Sequence, residues 1–199
     1  MRETSKSQKL REARGDFRTF LRGDGIDIGA GTDPLRAPHA SVRSWDKEHG
    51  DGGKLSEIPD ESFDFVYSSH TLEHMKSIEE AVSNWIRVLK PGGFLYIVVP
   101  EYVLYEKMTW PSIYSEVHTH SFSSLITRAM VRRNDHYHID MDLEPLLRTH
   151  GVTLLRKTLE DEGFDYNAGA RDQTLDGALC QICIVGQKTD RTAPSHAAN

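Results

Sequence analysis

The sequence predicts an α/β chain built on an open, mostly parallel sheet, and three observations lead to it. An apolar run, Gly25-Ile26-Asp27-Ile28, ends in the glycine-rich turn Gly29-Ala30-Gly31. A second short run, Val42 to Asp46, ends in a carboxylate, and a helical pattern stops at Pro91-Gly92-Gly93, where the apolar run Phe94 to Pro100 begins. Ile26 and Ile28 suit two core positions of a buried strand, and the glycines beyond them let backbone come close to a ligand at the strand's carboxyl end. In an open parallel sheet that end is where ligands bind.

The elements follow in chain order. Residues 1–22 are charged, with apolar spacing at Leu10, Ala13, Phe17, Phe20 and Leu21, which predicts an amphipathic helix beside the sheet, placed to cover a bound ligand. Residues 47–57, with Gly50, Gly52 and Gly53, form a flexible connection in place of a fuller helix and strand. Ile58 to His70 reads as a turn and then a strand, and Thr71-Leu72-Glu73-His74 opens a helix. Glu79 to Leu89 is a helix with Ala81, Val82, Trp85, Ile86 and Leu89 on one face. From Pro100 to about Asp135 the pattern is interrupted; a helix follows around Asp140 to His150, stopped at Gly151. Strands at Thr153 to Leu159 and Ala178 to Gln187 complete the sheet, and residues 189–199 read as a disordered tail.

Five segments in fixed order resemble the class I S-adenosylmethionine-dependent methyltransferases of the small methyltransferase-domain family, type 11-like. They are Asp27-Ile-Gly-Ala-Gly, the acid Asp46, Pro59-Asp-Glu-Ser-Phe-Asp, Leu72-Glu73-His74 and Leu89-Lys-Pro-Gly-Gly. The resemblance is tight over residues 25–100 and loose beyond. It implies a Rossmann-like fold, a mostly parallel seven-stranded sheet that is abbreviated here, an antiparallel last strand and helices on both faces. It also implies S-adenosyl-L-methionine as cofactor. Backbone around Gly29 and Gly31 would contact the methionine part, Asp46 the ribose, and Gly53, Lys54 and Leu55 the adenine, with Ser69 and His70 at the reaction centre; Asp27, Ala30 and Lys47 count with them as cofactor-binding. One departure is Asp33-Pro34 after Gly31. Pro34 stands where a nicotinamide dinucleotide fingerprint needs its third glycine, which argues against a dinucleotide-dependent oxidoreductase.

Composition agrees. At 199 residues and 38% hydrophobic, the chain suits one well-buried core, hence a single domain over 1–188. A net charge of −6 argues against nucleic acid or an anionic membrane as partner. No apolar run is long enough to span a bilayer and no leader segment is visible, so the expected location is the cytoplasm. Cys180 and Cys183 are expected as two structural thiols on opposite faces of a late strand.

The acceptor pocket is expected in 101–140, since residues after the fifth strand build it in the resembled family. That segment holds Glu101, Tyr102, Tyr105, Trp110, the pair His118 and His120, and the pair His136 and His138. Three readings stand for the histidines: loop residues before a helix beginning near Ser123, a general base for an acceptor hydroxyl or nitrogen, or ligands that hold a divalent metal with Glu101 and Asp140. His70, His118 and His120 are the catalytic candidates, and no residue is assigned to a metal. His74 is read as mainly architectural. The aromatic residues suit a pocket wall or a homodimer contact. The activity expected is methyl transfer to an oxygen or nitrogen of a small molecule, a sugar or specialised metabolite. A non-catalytic S-adenosylmethionine-binding partner subunit is the alternative.

Overall fold

The computed structural model describes residues 3–169 and 171–189. Six strands form one sheet: β1 (Gly23–Ile28), β2 (Ala40–Trp45), β3 (Phe63–Ser69), β4 (Leu89–Pro100), β7 (Val152–Glu160) and β8 (Gln181–Lys188). Their spatial order is β2-β1-β3-β4-β8-β7, and a separate two-stranded pair joins β5 (Ser121–Ser123) to β6 (His136–His138). The first four strands are mutually parallel; β8 lies antiparallel between β4 and β7. The order reverses between β1 and β3, which opens a crevice at their carboxyl ends.

The period-two pattern of the strands sends side chains into two cores. Ile26, Ile28, Val66, Ile97 and Ile184 pack on one face, beneath Ile78, Ala81, Val82, Trp85 and Ile86 of helix α4 (Ile78–Arg87); α1 to α3 are the N-terminal helices below. Phe65, Tyr67, Tyr96, Val98 and Cys183 pack on the other with Phe17, Leu21 and Leu35. Gly25 is required between them, because a Cβ there would lie 2.0 Å from the Phe65 ring.

The sheet is the abbreviated form expected, with six strands, because the connection after β2 makes only a 3₁₀ turn at Lys47–His49. That connection is held instead by side chains of α4: Trp85 Nε1 donates to Gly52 O at 2.8 Å, Asn84 to Gly53 O at 3.0 Å, and Arg87 to Ile58 O at 2.8 Å and Leu55 O at 2.9 Å. Several expectations are corrected. Leu72–His74 is one 3₁₀ turn; α4 starts later, where Ser77 Oγ accepts from Glu80 N at 3.1 Å. Leu89 belongs to β4 rather than to α4, and Lys90-Pro-Gly-Gly bulges from that strand, so that Phe63 pairs with Leu89 but Phe65 with Phe94. No helix begins near Ser123; β5 runs into bends and turns. A π-helical turn, Ile139–Leu143, leads into α5 (Glu144–Thr149).

The N-terminal segment is three short helices, α1 (Glu3–Lys6), α2 (Gln8–Ala13) and α3 (Asp16–Thr19), rather than one. The chain turns at Gly15, whose φ is 74°. Phe17 and Leu21 enter the core as expected, but Leu10 is half-buried and Ala13 exposed. The inward face before the turn is polar: Thr4, Ser7 and Arg11, with the Arg11 guanidinium 5.4 Å from the Tyr67 ring centroid. Asp16 pins α3 to the sheet by accepting from Tyr96 Oη at 2.8 Å and Arg156 at 2.6 Å. Cys180 precedes β8 and packs with Leu104 and Tyr105, so the two free thiols occupy different clusters rather than opposite faces of one strand. Of the expected tail, 190–199 lie outside the described residues, and Thr189 is tied to the body by donating to Gly151 O at 2.8 Å.

Candidate active site

The turn after β1 is built by backbone that only glycine adopts readily. Gly29 has φ 78°, Gly31 φ 48°, and Gly29 N donates to Trp45 O at 2.8 Å, joining the ends of β1 and β2. Asp46 closes the turn: Oδ2 accepts from Gly31 N at 2.7 Å and Oδ1 from Lys47 N at 2.6 Å. A carboxylate has further lone pairs, so Asp46 can still receive a ribose diol. Asp33 ties the N-terminus over the turn by accepting from Ser5 N at 2.8 Å.

Asp27 differs from its expected role. It is 2% exposed, lines neither cavity of the cleft, and accepts from Leu35 N at 2.7 Å. Its carboxylate is spent on shaping the loop that leads to Leu35. Burial raises its pKa to about 7, against the Leu35 hydrogen bond and the field of Arg11. Because the folded value lies above the unfolded value of about 4, ionising Asp27 opposes folding increasingly as pH rises through that window. Asp27→Asn, whose amide oxygen can still accept from Leu35, is expected to gain about 2 kcal/mol relative to the parent between pH 5 and pH 8. Urea midpoints at the two pH values measure this; a constant difference between the proteins would contradict it.

Two cavities of about 250 and 750 Å³ adjoin at Gly29, His70, His74 and Val117. The larger is bordered by Ile28, Trp45, Asp46, Lys47, Asp51, Gly52 and Met75. This is an apolar slot with a carboxylate at its rim, which fits an adenosine. The smaller is bordered by Gly29 to Asp33, Ser69, Tyr105, His118 and, from the N-terminus, Glu3 and Thr4. Gly29, Ala30, Gly31, Asp46, Lys47, Ser69 and His70 therefore border the cleft. Gly53, Lys54 and Leu55 do not: Leu55 is in the core, Lys54 points to solvent, and Gly50 to Gly52 take their place. The cause is the missing strand, which lets the connection approach the cleft earlier.

Between the cavities lies a cluster only partly anticipated. Glu73 is fully buried, and neither carboxylate oxygen accepts a hydrogen bond from another residue. Its Oε1 lies 3.8 Å from His70 Nδ1, 3.8 Å from His74 Nε2 and 3.8 Å from His118 Nε2. Burial raises Glu73 to about 8 and pushes the His70 and His74 imidazoles below their usual range. The far ring nitrogens are engaged: His70 Nε2 with Gln181 Oε1 at 2.9 Å, His74 Nδ1 with Val117 O at 2.9 Å, His118 Nδ1 with Glu106 Oε1 at 2.6 Å. His70 itself sits at φ 51°, at the carboxyl end of β3, with its backbone N donating to Val98 O at 2.9 Å.

The chain at 118–120 is clamped by Glu73 O, which accepts from Thr119 N at 2.9 Å and His120 N at 3.0 Å. This sends His118 into the cleft and His120 away from it, onto Tyr137 at 5.8 Å between centroids. His120 is thereby corrected as a catalytic candidate, and the two rings do not share a face. His136 is buried against Ser121 and Tyr102, and that burial, with the charge of Arg133 behind it, lowers its pKa to about 4. Glu101 accepts from Ser123 Oγ at 2.6 Å and Ser124 N at 2.9 Å, and Asp140 pairs with Lys157, so these carboxylates do not converge with the histidines. Of Tyr102, Tyr105 and Trp110, Tyr105 alone borders the cleft, where Tyr114 joins it; Trp110 donates to Asp135 at 2.9 Å. Glu73, Glu106 and Gln181 were not anticipated, and a glutamate next to a histidine was the sole local signal.

The family match together with the structural neighbours supports a class I S-adenosylmethionine-dependent methyltransferase, with S-adenosyl-L-methionine as cofactor. Residues 19–97, from the end of α3 into β4, match the model of the family described as methyltransferase domain. Solved structures share the architecture. An S-adenosylmethionine-dependent methyltransferase from Archaeoglobus fulgidus aligns with TM-score 0.55 at 16% identity, covering 94% of this chain and 95% of that one. One from Mesorhizobium loti aligns with TM-score 0.53 at 16% identity, covering 92% and 97%. A chain of the complex between the Haloferax volcanii Trm112 methyltransferase activator and its methyltransferase aligns with TM-score 0.57 at 15% identity, covering 94% of each. At these identities the likeness is one of fold. No curated protein matches the sequence. Among the described residues, no helix is long and apolar enough to cross a membrane.

Proposed function

We propose that this methyltransferase moves a methyl group to an oxygen or nitrogen of a small molecule, a sugar or specialised metabolite, with His70 as the group that accepts the acceptor's proton. The observation that carries the reading is the place of His70, at the junction of an adenosine-sized cavity and a smaller polar one. Bound S-adenosylmethionine supplies an electrophilic sulfonium methyl group. The chain's part is to align the acceptor and take its proton. Gln181 fixes the His70 ring: its Nε2 donates to Glu160 Oε2 at 2.5 Å, which leaves Oε1 to accept from His70 Nε2 and Nδ1 to face the cleft as a base. Tyr105, stacked 5.5 Å from the His118 ring, walls the acceptor side. The small volume of that cavity and the polar ring of Glu73, His70, His74 and His118 favour a compact, hydroxylated acceptor over a macromolecule. Two buried, unpaired thiols suit a reducing, cytoplasmic setting.

A thermal-shift comparison tests the first half: S-adenosylhomocysteine is expected to raise the unfolding temperature and NAD to leave it unchanged. An acceptor screen by release of S-adenosylhomocysteine tests the second. No stabilisation at saturating S-adenosylhomocysteine would sink the reading, and binding without turnover of any small hydroxylated or amine acceptor would favour the non-catalytic partner subunit.

A further inference from the structure

We propose that Glu73, His74 and His118 hold a divalent first-row transition metal ion, zinc before magnesium, on the acceptor side of the cleft. The ligand atoms of these three residues all lie within 4.8 Å of one another. Carbonyl and carboxylate oxygens cannot donate, so each far ring nitrogen must carry the proton: His74 Nδ1 toward Val117 O, His118 Nδ1 toward Glu106. The inward nitrogens are consequently bare lone pairs, and they meet a buried carboxylate whose two oxygens have no hydrogen bond from another residue. His70 Nδ1 adds a further lone pair 3.8 Å from the same oxygen. Converging lone pairs repel, and burying a carboxylate without hydrogen bonds is costly. A cation at their centre resolves both.

The outer contacts have the form that metal sites use. Ligating histidines ordinarily donate their second N–H to a carboxylate or backbone carbonyl, which sets tautomer and ring plane. Glu106, itself 1% exposed, and Val117 O do this here. Imidazole with carboxylate suits zinc, iron or nickel better than magnesium, which prefers oxygen ligands and retained water. Tetrahedral bonds of about 2.0–2.2 Å set neighbouring ligand atoms roughly 3.4 Å apart, so the 3.8 Å Glu73–His separations need to contract by a few tenths of an ångström, and the ligand atoms of His74 and His118, within 4.8 Å of each other, close up by side-chain rotation. Three protein ligands leave a position open toward the cleft that His74 and His118 border. The role of the ion, as a Lewis acid that orients and acidifies an acceptor hydroxyl beside His70, rests on the function proposed above; its binding does not.

The test is metal binding by the full chain. Protein stripped with chelator and desalted is titrated with Co²⁺, whose visible d–d absorption reports coordination, and then with Zn²⁺ as competitor. The expected result is one equivalent bound and displaced by Zn²⁺. Glu73→Gln and His74→Ala are each expected to weaken binding by at least about 100-fold, and Glu106→Gln, which touches no ion, by about 10–100-fold. His74 is 32% exposed, so its truncation keeps the fold, and the unfolding temperature and S-adenosylhomocysteine affinity are read on the same samples. Absence of a cobalt spectrum and of zinc binding in the parent overturns the proposal, as does parental affinity in both ligand variants. S-adenosylhomocysteine binding without metal binding sinks this inference alone; metal binding without S-adenosylhomocysteine binding sinks the methyltransferase reading alone.

Discussion

Gly29→Ala is expected to cost about 2–4 kcal/mol of stability and to abolish binding of S-adenosylhomocysteine. Two causes add. At φ 78° a side chain meets its own backbone, and a Cβ there would lie 2.0 Å from Thr71 Oγ1. Thr71 cannot withdraw freely, because it packs beneath the 3₁₀ turn and its Oγ1 donates to Ser69 O at 3.1 Å. Any relief must move either the glycine-rich turn or the Ser69 to Glu73 segment, and both border the cleft. Gly31→Ala is the control. Its φ is 48°, but the nearest atom to a new Cβ is Asp46 Oδ2 at 3.6 Å, so only the backbone penalty of about 1 kcal/mol applies. Urea unfolding and calorimetric titration separate the two variants, and equal, mild effects would show that the turn is not the cradle described.

His70→Asn is expected to lower kcat/KM by about 10²–10⁴-fold with an acceptor found by the screen, while S-adenosylhomocysteine binds within a few-fold of the parent. Asparagine is chosen because it tolerates the left-handed backbone that His70 occupies at φ 51°. The substitution thus removes the imidazole and leaves the corner of the sheet intact. His120→Asn is its counterpart: the ring faces Tyr137 outside both cavities, and its loss should leave turnover near the parental value. Unimpaired turnover by His70→Asn would remove His70 from the proton path, whatever the fate of the cofactor site.

Strands β1, β3 and β4 and the helix α4 were legible because each is a local pattern: a short apolar run, a glycine or proline stop, an apolar stripe at helical spacing. The glycine-rich turn and Asp46 were legible for the same reason, since adjacent residues at strand ends become neighbours in a parallel pair, as Ile28 and Trp45 do. The N-terminal stretch misled because its apolar spacing was real but was cut by Gly15, and the inward face before that turn serves a polar cleft rather than a core. The adenine side was displaced by a few residues because no local signal says how far a missing strand pulls its connection inward.

The sequence by itself determined the class of this protein, its cofactor, and a histidine at the end of β3, all carried by contiguous motifs between residues 25 and 100. Which histidines act together was decided only by tertiary structure. His118 joins Glu73 and His74 from far along the chain because Glu73 O clamps the backbone of Thr119 and His120, and that clamp turns one ring of a His-x-His pair inward and the other out. Periodicity knows nothing of such a clamp, since it depends on the path of a loop between distant elements rather than on any residue's own preference.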